Sequence, residues 1–166
     1  MQSINNLNKI KFVHTFSNIF ENTKWIAEET YKFIPFKDFN DLEKKMINIF
    51  NNSGEDNQLK IILNHPDLAD KLKVSKLTYE SKNEQKNAQL ENCTEEEYNE
   101  FKKLNFTYKK KFGFPFILSV ANKNKKEILE CFKRRINHDS KNEFNEALIQ
   151  VKKIASSRLS NIRNNI

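Results

Sequence analysis

Residues 94–120 read TEEEYNEFKKLNFTYKKKFGFPFILSV, and this stretch decides the fold class. Thr94 followed three residues later by Glu97 has the spacing of a capping box, in which a hydroxyl and a carboxylate satisfy backbone N–H groups that a helix start leaves open. Phe101, Leu104, Tyr108 and Phe112 then recur every three or four residues, which gathers them on one helical face, and the lysines between them form the wet face. Gly113 interrupts the helix. The following FGFPFILSV is too apolar for a surface loop and too short and Pro-broken for a helix, so a buried extended connection is expected.

The same periodicity extends to both sides. Downstream, Ile128, Leu129, Phe132 and Ile136 predict a helix over about 124–137, and Phe144, Leu148, Val151, Ile154 and Leu159 predict another over about 141–163. Upstream, helices follow one another from Asn22 onward. Trp25, Ile26 and Glu29 mark a short one that YKFIPF ends, because Pro35 biases Ile34 away from helical geometry. Leu42, Met46, Ile49 and Phe50 mark the next, closed by NNSGED; DNQLKIIL forms another up to Asn64; Pro66 suits the first turn of PDLADKL; and TYESKNEQKNAQL, residues 78–90, reads as amphipathic. The expectation is an all-α, single-domain bundle of about seven or eight helices spanning residues 1–166.

Composition narrows the chemistry. A chain of 166 residues fits one substantial core, and 14 Phe with 4 Tyr supply large apolar area despite a mean hydropathy of -0.79. With only 2 Gly there is no Gly-rich phosphate loop, dinucleotide fingerprint or nucleophile elbow. The net charge of +7 is carried mainly by lysine, since only Arg134, Arg135, Arg158 and Arg163 are arginines, and asparagine is nearly as abundant as lysine. That is a compositional bias rather than a set of phosphate-reading arginine forks. A basic helical nucleic-acid-binding module, with FKKLNFTYKKKFGFPF as its platform, is the alternative reading from another class. Cys93 and Cys131 lack CxxC spacing, so no metal or redox motif is expected. No run reaches the length of a signal peptide or membrane span, and Asn164-Asn165-Ile166 is not the S-K-L address; the expectation is a cytoplasmic protein.

Few residues offer chemistry. His65 stands between a helix and Pro66, a junction that either caps the next helix or opens an imidazole toward a cleft. Asp67 and Asp70 fit ordinary first-turn carboxylates. Ser81, Glu84 and Gln85, at i, i+3 and i+4, put a hydroxyl, a carboxylate and an amide on one helical face, able to hold a ureide-like or heterocyclic substrate, or simply to be solvated with Ser81 as a cap. Arg158 beside Leu159 reads as a surface or snorkelling residue. His14, in a polar N-terminal segment, and His138, in the NHDSKN turn, form no constellation.

Six stretches, in this order and spacing, carry a resemblance: FENTKWIAE, IPFKDFNDLEKKM, LNHPDLADKL, ESKNEQKNAQL, FKKLNFTYKKKFGFPFILSV and ALIQVKKIASSRL. The chain resembles the OHCU decarboxylase family, which acts on 2-oxo-4-hydroxy-4-carboxy-5-ureidoimidazoline in urate degradation, over about Phe12 to Leu159. The resemblance implies that His65 is the catalytic histidine with Glu84 as its carboxylate partner. It also implies that Pro66, Ser81, Gln85, Phe116, Ile117 and Arg158 bind substrate. It implies decarboxylation to S-allantoin without cofactor or metal, in a homodimer with no nucleic-acid or membrane partner. Where the family reads EQ-x-x-A-G-L, this chain has Gln89 in place of glycine; the expectation is that Gln89 either rotates outward or slightly alters a close helix approach, without removing the active residues. A family member that has lost activity and binds a purine derivative is the remaining alternative.

Overall fold

The computed structural model describes residues 1–68 and 94–165. Among them it is all-α, with eight helices: α1 (Gln2–Asn5), α2 (Lys9–Phe16), α3 (Lys24–Tyr31), α4 (Phe39–Asn51), α5 (Glu55–Asn64), α6 (Glu95–Phe112), α7 (Lys125–Arg135) and α8 (Ser140–Asn165). They fall into two compact units, residues 1–64 with 152–166, and residues 65–151.

In the first unit α2 packs on α3 and α3 on α4. The sequence reading left the N-terminal segment without helices, but Asn8 caps α2 by accepting from the Lys11 N–H at 3.0 Å, and Phe12 and Phe16 point inward while His14 stays exposed. Ile10, Phe12, Val13 and Phe16 are apolar, but over two turns they do not settle on one helical period, Ile10 being exposed. Phe12 stacks on Phe36, and the Asn5 side chain clasps the Phe36 backbone, donating to its carbonyl at 2.9 Å and accepting from its N–H at 3.0 Å. Asp38 caps α4, whose Leu42, Met46 and Phe50 fill the core as the periodicity predicts.

In the second unit α6 carries the capping box expected at Thr94 and Glu97 and ends at Gly113, whose φ of 78° lies in the left-handed region that glycine adopts without a Cβ clash. Residues 114–120 are non-helical, and all but Ser119 are buried, the extended connection the composition called for. Asn124 and Glu127 form a second capping box at α7. Phe116 stacks on Phe132 with ring centroids 3.8 Å apart, and Tyr108 meets both rings edge-on.

The centre of this unit is polar. Glu143 on α8 is fully buried; it accepts the Tyr108 hydroxyl proton and bonds to Arg135 Nε at 2.9 Å and Nη2 at 2.5 Å, while its second oxygen faces His138 Nδ1 at 2.8 Å. Arg135 Nη1 continues to the Ile117 carbonyl at 2.7 Å, and its guanidinium lies 4.5 Å from the centroid of Phe116. His138 is therefore not the exposed turn residue expected from NHDSKN; its ring is half-buried against the carboxylate five residues on.

Three predictions follow from these contacts. Removing one partner of a buried ion pair strands the other, so Glu143→Ala should lower the unfolding free energy by about 3–5 kcal/mol in urea titrations; a loss below ~1 kcal/mol would contradict the central role of this carboxylate. Burial, and then donation to Glu143, raises the Tyr108 pKa well above its ordinary value. The unfolded tyrosine ionises first, at about pH 10, so the stabilisation from Tyr108 is complete below that pH and declines as pH rises further. Urea midpoints of the wild type should fall more steeply between pH 9 and 11 than those of Tyr108→Phe. On the acid side, the Lys45 ammonium beside Asp41, the Lys125 ammonium beside Glu97 and the Asn142 N–H donating to Asp139 each lower a carboxyl pKa. Their contributions are present above pH ~4 and are lost as pH falls through the lowered values; Glu97→Gln should flatten that slope in the same titration.

Candidate active site

His65 ends α5's run and opens a non-helical segment, His65-Pro66-Asp67-Leu68. His65 is only 7% exposed, so the imidazole is buried at this junction. The helix anticipated from Pro66 does not include residues 66–68; the remainder of PDLADKL lies outside the described residues. Asp67 is also buried and pairs with Lys109 Nζ at 3.2 Å, which replaces the first-turn role expected of it. The Leu68 carbonyl accepts from Asn105 Nδ2 at 2.8 Å. Two residues one turn apart on α6 thus hold the segment that follows α5.

Phe116 and Ile117 sit together on the buried connection. Ile117 is fixed through its carbonyl by Arg135, Phe116 by the rings of Phe132 and Tyr108, and the Ser119 N–H donates to Gln150 Oε1 at 3.0 Å. Tyr108 lies on the same helix as Asn105 and Lys109, so α6 braces both the His65 segment and the Phe116–Ile117 segment.

Arg158 belongs to the first unit and is 3% exposed, which overturns its reading as a surface or snorkelling residue. Nη1 donates to the Asn18 carbonyl and Nη2 to Glu21 Oε2, each at 2.8 Å. The guanidinium fork makes both contacts at once, a geometry that a lysine ammonium does not reproduce. Glu21 is 1% exposed, and the Thr23 hydroxyl donates to its backbone carbonyl at 3.0 Å. Ser81, Glu84, Gln85 and Gln89, with Asp70, lie outside the described residues.

Sequence reasoning passed over Glu21, Asn105, Arg135, Glu143 and Gln150. Asn105 carried a signal: it falls four residues after Phe101 and three before Tyr108, on the apolar stripe where a solvated asparagine does not belong. Among the described residues no group of three or more His, Cys, Asp or Glu side chains has the arrangement of a metal site.

With this geometry in view, the family model for OHCU decarboxylase matches residues 5–160. The chain belongs to the OHCU decarboxylase family. It is 33% identical over 160 residues to the 2-oxo-4-hydroxy-4-carboxy-5-ureidoimidazoline decarboxylase of Haloferax volcanii, covering 96% of this chain and 94% of that one. It is 37% identical over 162 residues to the uric acid degradation bifunctional protein of Bacillus sp. strain TB-90, of which it spans 32% of the length. In three dimensions it is similar to the crystal structure of an (S)-allantoin synthase, with a TM-score of 0.78, 28% identity, and coverage of 96% of this chain and 52% of that one. The family membership accounts for the all-α architecture and for the order of the sequence stretches along the chain.

The Arg158 contacts give a further prediction. Glu21→Ala removes the carboxylate from a buried guanidinium and should cost about 3–5 kcal/mol of stability in urea, and Arg158→Lys, which keeps the charge but not the fork, should also be destabilised. A Glu21→Ala protein as stable as wild type would refute the pairing.

Proposed function

We propose that this chain is a cofactor-independent decarboxylase that converts 2-oxo-4-hydroxy-4-carboxy-5-ureidoimidazoline to S-allantoin. The observation that carries the proposal is the family match over nearly the whole chain, supported by a relative of almost equal length whose name states decarboxylation of this compound.

The chemistry of the substrate explains how so few residues suffice. Loss of CO2 from the substituted ring carbon leaves an electron pair that the adjoining imine and carbonyl system of the substrate accepts, so the substrate is its own electron sink. The protein's task is to orient the ring, stabilise charge where it develops and deliver one proton to one face. His65 is the proposed proton-transfer group, with Glu84 setting the charge and orientation of its imidazole. Ser81, Gln85, Arg158 and the backbone of the Phe116–Ile117 segment are the proposed donors to the ureido and carbonyl groups, and Pro66 is the apolar neighbour of the ring. Arg135 holds the backbone at Ile117 through its carbonyl, and Glu21 and Asn18 hold Arg158; this supports the reading, because polar groups held before substrate arrives cost no reorganisation during the reaction. The homodimer that the resemblance implies is part of the proposal, with sedimentation as its test.

The decisive assay generates the substrate freshly and follows the circular dichroism of allantoin for wild type and His65→Ala. Wild type should give a fast, optically active signal, and a folded His65→Ala protein should lose it by about 100-fold or more, since a general acid–base residue contributes roughly 100- to 10,000-fold. A racemic time course at the spontaneous rate with the wild type would overturn the decarboxylase reading. Binding of the wild type to DNA or RNA with a steep salt dependence would then favour the basic-module alternative.

A further inference from the structure

We infer that Asn105 is a positioning residue for His65, acting through the backbone of Leu68 rather than by touching substrate. The inference rests on the decarboxylase reading above for its catalytic consequence, and on geometry within the second unit for its structural one. Asn105 is 9% exposed and sits on the apolar stripe of α6 between Phe101 and Tyr108. Its amide orientation is fixed by chemistry, because the Leu68 carbonyl can only accept and so must face Nδ2. Oδ1 is thereby turned into the protein, where it has no hydrogen-bond partner among the described residues.

A buried amide with one idle acceptor is a poor choice for stability alone, since an apolar side chain of the same size would fill the stripe without that penalty. What an apolar side chain cannot do is hold the Leu68 carbonyl. Only Pro66 and Asp67 separate Leu68 from His65, and Pro66 has a fixed φ, so an anchor at Leu68 limits the directions in which the His65 backbone can present its ring. The second tether, from Asp67 to Lys109, is half-exposed on the lysine side and is weaker for that reason. Asn105 is therefore the tether that sets the segment, and α6 is the rigid element to which it is set. A displacement of about 1 Å in a reacting group is enough to cost roughly 100-fold in rate.

The test uses Asn105→Leu, close in volume but unable to donate, and Asn105→Asp, close in shape but presenting an acceptor to the Leu68 carbonyl. Each variant is compared with wild type in thermal midpoint, in kcat and KM for stereoselective allantoin formation, and in the NMR resonances of the His65 ring without substrate. The expected result is a folded Asn105→Leu protein with kcat lowered ten- to a hundred-fold, KM changed less than about threefold, and shifted or broadened His65 ring signals. Asn105→Gln, which keeps the amide donor, should recover part of kcat. A merely structural role would instead lower the thermal midpoint while leaving kcat of the folded protein and the His65 signals as in wild type, and that result overturns the inference. Should Asn105→Leu fail to fold, Asn105→Asp supplies the same readouts. The ring signals separate this inference from the assigned reaction: if wild type proves inactive, moved signals still establish the tether, and unmoved signals refute it.

Discussion

One buried carboxylate organises the second unit of this protein. Glu143 has no exposed surface, and an isolated charge in that position would be prohibitively desolvated. Its environment answers that cost with a hydroxyl from α6, a guanidinium from α7 and an imidazole from the turn between α7 and α8. Because each partner comes from a different place in the chain, satisfying Glu143 forces those places together. Arg135 then passes the constraint to the Ile117 carbonyl, and so the backbone of the non-helical connection is held by a charge one step removed from it. Aromatic stacking of Phe116 on Phe132 adds apolar area to the same junction. The arrangement couples the stability of the fold to the placement of a segment that the family resemblance assigns to substrate.

Arg158 follows the same physical rule in the first unit. A guanidinium this deeply buried needs a carboxylate, and Glu21 supplies it. In both units the polar residues bury long side chains whose hydrogen bonds are fixed by packing, which is how a protein keeps donors aimed without relying on solvent.

Much of the helical layout was legible in the sequence because it rests on local signals. The Thr94 and Glu97 capping box, the Gly113 stop and the apolar run through Val120 each announce themselves within a few residues, and the structure has all three. On α8 Val151, Ile154 and Leu159 are buried as the periodicity predicts, but in the first turns the buried line runs through Glu143, Ala147 and Gln150 rather than Phe144 and Leu148. Hydrophobicity places only the start of the stripe one position off, since a buried glutamate and glutamine count as surface residues in any periodic reading. Glu21 and Arg158 were hidden for a different reason: their contact joins residues 137 positions apart, and nothing local signals a partner at that distance. The junction singles out His65 and the apolar run marks the Phe116–Ile117 segment as buried, while their site roles come from the family resemblance; the contacts of Arg135 and Glu143 are visible only once the helices are packed.

The central claim is that the chain removes a carboxyl group from the ureidoimidazoline ring. The most direct measurement is release of labelled CO2 from substrate carrying 13C in that carboxylate, with the spontaneous reaction run in parallel. The account predicts label released as CO2 far faster with the protein than without it, and in step with allantoin formation. Label released at the spontaneous rate, with the protein folded and in excess of substrate, would contradict it.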